Sequence, residues 1–414
     1  MTRDRLPILA LLAANSLSFV AEAIAMVAIP WFVLDLTGSY ARMGLVGFFT
    51  VLPRVVATFL GGQVVDRIGF RAASIASDLL SGISVCGIPL VHASGHLSFS
   101  WLIVLVIVGA FFDGPGATAK DAMVPELAAR ARIDLDRINA FFQGARRLSL
   151  FIGPMVAGVL VARVGASNVL WVNAVVFGLS AMLTVAFIPS IAATQAAADP
   201  GAFWANTLYG FRFIRQHQLM LWLAGIVCLM NVLDAPMATV QLPALVRENY
   251  GTAQLLGVLL GAEGGGAVVG TVIYSAIAPH LSRRATFIAG FLVTGLGFLV
   301  LAMAPPYPVL VATMLVMGLA AGPLNPILMS IRQEFVPLAS RARVFGTTTA
   351  ISFIAIPFGQ LAGGYLVEWL GVGTVIAAIA VIYLAAVASF IVHPVLHEMD
   401  RRPAPPASLT SPVR

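Results

Sequence analysis

Apolar residues in this chain come in long blocks, not at a helical or strand period. Twelve blocks can be marked: Leu6–Leu34, Met43–Val65, Ala72–Val91, Phe99–Ala119, Leu148–Ala162, Val169–Ile188, Leu219–Val246, Leu255–Ala278, Ala285–Ala304, Pro308–Ile331, Val344–Val367 and Val372–Val392. A hydrocarbon core of about 30 Å needs about 20 apolar residues in a helix, and a helix satisfies its own backbone in lipid. The fifth block is short, and its helix is predicted to begin upstream, near Ile138. A longer polar segment, Pro189 to Gln218, separates the sixth block from the seventh. The pattern predicts an all-α integral membrane protein of twelve transmembrane helices.

Composition agrees: 59% of the 414 residues are hydrophobic and only 10% are charged, against about 25% charged in soluble domains. The net charge of +6 raises the question of nucleic acid, and its placement answers it. With the N-terminus inside, 20 of the 24 basic residues fall in inner segments; Arg42, Arg163 and Arg247 fall outside and Arg54 lies within a block. That bias satisfies the positive-inside rule and predicts both termini in the cytoplasm. Cys86 and Cys228 lie inside apolar blocks and imply no disulfide framework.

The two halves echo each other. Gly153, Gly158, Leu160, Val161 and Gly165 recur as Gly359, Gly364, Leu366, Val367 and Gly371, at a constant offset of 206. Val124-Pro125 before Arg130 and Arg132 recurs as Val336-Pro337 before Arg341 and Arg343. The expected organisation is two pseudo-symmetric six-helix bundles, 1–190 and 219–395, joined by a cytoplasmic linker, 191–218, and followed by a disordered tail, 396–414. Trp204, Leu208 and Phe211 give the linker the apolar face of an interfacial helix. Parallel repeats of this kind place a substrate site between the halves near the midplane.

Ionisable residues deep in a span are costly and mark function. Glu22, Arg54, Asp234 and Glu263 fall near the centres of their blocks, and Asp113 nearer a cytoplasmic end. Arg54 is too deep to reach an interface, so it is expected to pair with an acid, Glu22 first. Burial favours the protonated carboxyl and a neighbouring guanidinium the ionised one. These five residues are the proton-coupling candidates. Asp78 is assigned to a cytoplasmic charge cluster, and Lys120 to an inner loop.

Two motifs carry a resemblance. Gly61-Gly62-Gln-Val-Val-Asp66-Arg67-Ile-Gly69-Phe-Arg71 resembles the loop after the second span of the major facilitator superfamily, with Phe70 where many members carry a basic residue. Gly153-Pro154-Met-Val-Ala-Gly158 resembles the fifth-span element of the drug–proton antiporters in that superfamily. The stretch from Phe112 to Leu127, together with Gln333–Pro337 and Arg341–Gly346, is similar to the branch of macrolide-efflux proteins and enterobactin exporters. The resemblance implies alternating access, with Gly62, Asp66, Arg67, Gly69, Arg71, Gly153, Pro154 and Gly158 as the conformational switch.

The expected chamber is apolar and aromatic: Phe19, Trp31, Phe48, Phe49, Phe111, Met230, Asn231, Met237 and Asn325. The scattered histidines have no metal spacing. No nucleotide-binding loop or catalytic constellation is present, so neither enzyme activity nor a cofactor is expected. The reading is a monomeric exporter of lipophilic small molecules driven by proton antiport. The alternatives are a dedicated exporter of an endogenous metabolite, siderophore or lipid and, more remotely, a non-transporting receptor or scaffold.

Overall fold

A computed structural model of the chain describes residues 4–190 and 200–400. Its helices are α1 (Leu6–Thr37), α2 (Tyr40–Ile68), α3 (Phe70–Ala93), α4 (Phe99–Ala131), α5 (Leu135–Val164), α6 (Ala166–Phe187), α7 (Pro200–Gln216), α8 (Gln218–Pro236), α9 (Leu242–Asn249), α10 (Ala253–Ile277), α11 (Arg283–Ala302), α12 (Tyr307–Ala321), α13 (Leu324–Phe335), α14 (Arg341–Ile354), α15 (Ile356–Leu370) and α16 (Val372–Val392). Three spans are compound: α8 runs through a π-helical turn, Met237–Gln241, into α9; α12 continues as α13; α14 continues as α15. There are twelve membrane-competent helices in all, and no strand among the described residues.

The block edges move where polar residues lie inside helices. The fifth span starts at Leu135, capped by the Asp134 side chain. The fourth runs past Ala119 to Ala131, which places Lys120 inside a helix and not in a loop. Residues 396–400, expected in the tail, lie in a turn, Pro394–Asp400, that buries Val395, Leu396 and Met399. Asp400 there accepts hydrogen bonds from Ser282 Oγ (2.8 Å) and the Arg284 amide (3.2 Å) at the start of α11. Residues 401–414 and the side chain of Trp204 lie outside the described residues. Leu208 and Phe211 on α7 are exposed.

Helices α1–α6 pack mainly on one another, as do the later spans, and two seams join the halves: α2 against α15 and α5 against α10. Glycine permits both seams. A Cβ on Gly44 would lie 2.7 Å from Gly364 Cα, and one on Gly158 would lie 3.0 Å from Gly257 Cα. Such notches let backbones approach where lipid offers no hydrophobic drive for association. The repeat has a backbone reason as well. Gly165 (φ 84°, ψ 152°) and Gly371 (φ 81°, ψ 152°) link successive spans in a region that is essentially closed to other residues.

At the end of the bundle away from the termini, charged groups cross the seam. Glu368 Oε2 accepts from the Tyr40 amide at 2.7 Å and the Ala41 amide at 3.2 Å, capping α2 from α15. Tyr40 Oη donates to Glu248 Oε1 at 2.8 Å, and Arg247 pairs with Asp35 at 3.0 Å. The halves are therefore closed at that end.

Candidate functional site

A cavity of about 350 Å³ lies inside the N-terminal half. Its walls come from α1 to α6, and among the described residues the other half contributes only Thr239, from the π-helical turn, and Gln360, from α15. The π-helical turn lies just after Pro236, and such interruptions of a helix recur at functional sites.

Three charged side chains meet at the cavity wall. Arg54 Nη2 donates to Glu22 Oε1 at 2.9 Å, and Arg54 Nη1 lies 3.6 Å from Asp113 Oδ2. One guanidinium on α2 thus serves a carboxylate on α1 and another on α4. The planar fork of arginine suits this double role. Gly114, beside Asp113, lets α4 close on α2: a Cβ there would lie 2.9 Å from the Arg54 carbonyl. Arg146 also lines the cavity, its guanidinium 5.9 Å from the Phe19 ring centre.

Asp234 and Glu263 stand apart from this trio. They lie in the other half, outside the cavity wall. Tyr383 Oη donates to Asp234 Oδ2 at 3.3 Å, and Glu263 is near enough for its charge to act on Asp234. No cation pairs with either carboxyl among the described residues.

Of the expected chamber residues, only Phe19 lines the cavity. Trp31, Met230 and Met237 are core residues, 5%, 2% and 5% exposed. Trp31 instead carries Arg247 above its ring, 5.5 Å from the centre. Phe48 stacks edge-on with Phe49 and, across the seam, with Phe358. Asn231 Nδ2 donates to the Ser352 carbonyl at 2.8 Å, Phe111 packs on Phe112, and Asn325 is exposed. The other expected aromatics are used for packing, whereas much of the cavity wall beside Phe19 and Phe177 is small and medium residues such as Ala25, Gly47, Thr50 and Ser81.

The switch residues divide. Gly69 ends α2 at φ 86°, and Arg71 Nη2 donates to the Val185 carbonyl on α6 at 2.8 Å. The side chains of Asp66 and Arg67, like the surroundings of Gly62, lie outside the described residues. Gly153 faces Ala23, next to Glu22, while the Pro154 carbonyl and Gly158 face Gly257. The fifth-span element thus touches both the charged helix of its own half and the opposite half.

Lys120 and Asp78 are not the inner-loop and cytoplasmic-cluster charges expected from the sequence. Lys120 and Asp78, 2% and 3% exposed, form an ion pair at 2.8 Å beneath the trio. Lys120 Nζ also donates to Ser18 Oγ (2.6 Å) and Ser180 Oγ (3.2 Å), and Ser180 Oγ donates to Asp78 Oδ2 (2.7 Å). The pair therefore ties α1, α3, α4 and α6 together. Every ammonium proton has an acceptor, the condition under which a buried pair is tolerated. The available signal was Lys120 following an apolar block that contains another acid, with serines at matching depth.

The Major Facilitator Superfamily model matches residues 11–240 and 225–413. The multidrug efflux pump Tap of Mycobacterium tuberculosis is 32% identical over 414 residues, covering 99% of this chain and 98% of that protein. Macrolide efflux protein A of Streptococcus pyogenes is 23% identical over 388 residues, covering 89% and 93%. Among solved structures, the nucleoside transporter NupG superposes with a TM-score of 0.79 at 14% identity, over 94% of this chain and 98% of that one. A D-xylose–proton symporter gives 0.68 at 16% identity, over 92% and 96%. These last two agree in fold alone. With twelve membrane-competent helices, two packed halves and a charged cavity, the chain belongs to the major facilitator superfamily and is a multi-pass membrane transporter, not an enzyme.

Proposed function

We propose that the protein exports lipophilic, preferentially cationic small molecules from the cytoplasm in exchange for protons, as a single chain working by alternating access. The observation that carries this reading is Arg54 standing between Glu22 and Asp113 on a cavity wall. Two carboxylates with one guanidinium leave an unmatched negative charge in a region of low dielectric. A proton or a lipophilic cation can neutralise it, and the two then compete. The efflux named for Tap and for macrolide efflux protein A supports the direction of transport.

In this reading both termini are cytoplasmic and the sealed end faces outward, so the cavity is in its inward-facing state. The units 1–190 and 219–395 rock about the α2–α15 and α5–α10 seams. Gly153, Pro154 and Gly158 sit at the pivot. Gly62, Asp66, Arg67, Gly69 and Arg71 latch the inner side when it closes. Asp234 and Glu263, lacking a cation, are held neutral by protons of their own. A membrane potential adds about 2.3 kcal/mol per charge per 100 mV to any net charge moved.

The test is efflux of ethidium or tetraphenylphosphonium in proteoliposomes carrying an imposed proton gradient. Gradient-dependent transport by the wild-type protein and its loss in Glu22→Gln are expected. Transport that ignores the gradient would refute proton exchange, and full gradient-driven transport by Glu22→Gln would remove Glu22 from the mechanism.

A further inference from the structure

Between the Glu22–Arg54–Asp113 trio and the Asp78–Lys120 pair lies a cleft of about 20 Å³. Its lining includes Asn15, Glu22, Asp78, Asp113 and Lys120, so both ionic groups open onto it. A space of about 10–15 Å³ or more holds a water when two to four polar partners surround it. Asn15 provides the sign that such a partner is missing. It is 4% exposed, it lines the cleft, and its Nδ2 has no acceptor among the described residues. A buried amide left unsatisfied destabilises the fold, and a water in the cleft removes that penalty.

We propose that one water in this cleft, held by Asn15, joins the two ion-pair groups into a single network in which three carboxyls share two fixed cations and together hold one exchangeable proton. The proton passes from the Asp113 carboxyl to the water as the water gives up a proton to Asp78, and returns by the reverse step. The inference rests on the proton-exchange reading above and deepens it, since it makes Asp78 and Lys120 positioning residues that set how many protons the site carries. Asp113 feels the charges of Arg54, Glu22, Lys120 and Asp78 together. The other charges near the network are Arg146, at the cavity mouth, and Asp121, whose charges act on each other and are opposite. The wall from the opposite half adds only Thr239 and Gln360, both uncharged. Ser18, Ser77 and Ser180 around the lower pair are neutral. The balance of the five groups is therefore one positive charge short of neutral.

The experiment counts protons released into weakly buffered solution per tetraphenylphosphonium bound by purified full-length protein, with binding measured by equilibrium dialysis. The wild type is expected to release about one proton per cation, because one positive charge replaces another. Asp78→Asn leaves two carboxyls for two cations, so release falls to about zero although Asp78 is not part of the cavity wall. The double variant Asp78→Asn/Lys120→Met restores the shortfall, and release returns to about one. A purely structural role for Asp78 does not give that rescue. Asn15→Leu, which fills the cleft and changes no charge, is expected to keep the count and slow release about tenfold or more. If Asp78→Asn does not fold, the unchanged or slowed rate of Asn15→Leu decides.

Release of about one proton by Asp78→Asn, or wild-type speed in Asn15→Leu, would overturn the joined network while leaving proton exchange at Glu22 and Asp113 intact. A wild type that binds tetraphenylphosphonium and releases no proton, or that does not bind it, would overturn the exchange reading and the network with it.

Discussion

The two halves share a fold and solve the problem of buried charge differently. In the N-terminal half, Glu22, Asp113 and Asp78 are matched with Arg54 and Lys120, and the cavity forms beside them. In the C-terminal half, Asp234 accepts a hydrogen bond from the Tyr383 hydroxyl, and neither Asp234 nor Glu263 has a cation partner among the described residues. A carboxyl paired with a fixed cation responds to any change in that partner. A carboxyl without one must keep a proton to stay at such depth. The internal repeat thus preserves helix geometry and not ionic chemistry, so the halves are expected to differ in mutational response.

The largest expected effect is on the Lys120–Asp78 pair. Lys120→Met leaves Asp78 buried without its cation, which costs about 3–5 kcal/mol. A strong drop in melting temperature in detergent checks this, with most of the loss recovered in Asp78→Asn/Lys120→Met. Replacing both C-half carboxyls, Asp234→Asn with Glu263→Gln, removes no ion pair and is expected to change stability by less than about 1.5 kcal/mol. Equal losses in the two experiments would erase the distinction drawn here.

Transport gives the next contrast. Arg54→Gln frees Glu22 and Asp113 from their common partner and is expected to lower gradient-driven efflux by about a hundredfold or more, close to 2.7 kcal/mol on the overall barrier. Gly158→Val acts on the seam instead. Its added methyl groups meet Gly257 and the Ala253 carbonyl, at a cost of about 1–3 kcal/mol to the packed seam. Cysteine accessibility at the closed end is the readout, and it should rise. The smallest effect is expected at the exposed cap. Glu368→Gln weakens the contacts to the Tyr40 and Ala41 amides and should favour opening at that end by about 0.5–1 kcal/mol, a severalfold change in the same accessibility.

What the sequence reveals depends on whether a residue's meaning is set by its depth or by its neighbours. The spans were legible from block length, because lipid demands closed backbone hydrogen bonding over a fixed thickness. That Arg54 needs an acid was legible too, since it lies far from either end of its helix. Its second partner, Asp113, was less so: the apolar block ends at Ala119, while α4 continues to Ala131 and carries Asp113 near its middle. The same misplaced end turned Lys120 into an apparent loop cation. Glu368 gains its partners only from the approach of α15 to α2, and Asp35 and Glu248 gain theirs only where α9 meets the ends of α1 and α2. Of the cavity wall, the charged members Glu22, Arg54 and Asp113 and one aromatic, Phe19, were legible, and the rest was not. Aromatic character does not say which face of a helix a residue occupies, and Phe48, Phe49 and Trp31 serve the seam and the core. The small residues that do bound the cavity, Gly47 and Ala25 among them, carry no chemical signal in isolation.

The central claim is that the exchanging proton belongs to the paired carboxyls of the N-terminal half. The most direct test is substrate-induced proton release from the purified protein, compared between Glu22→Gln/Asp113→Asn and Asp234→Asn/Glu263→Gln. The account predicts that release disappears in the first double variant and persists in the second. Release that persists in the first and disappears in the second would contradict it.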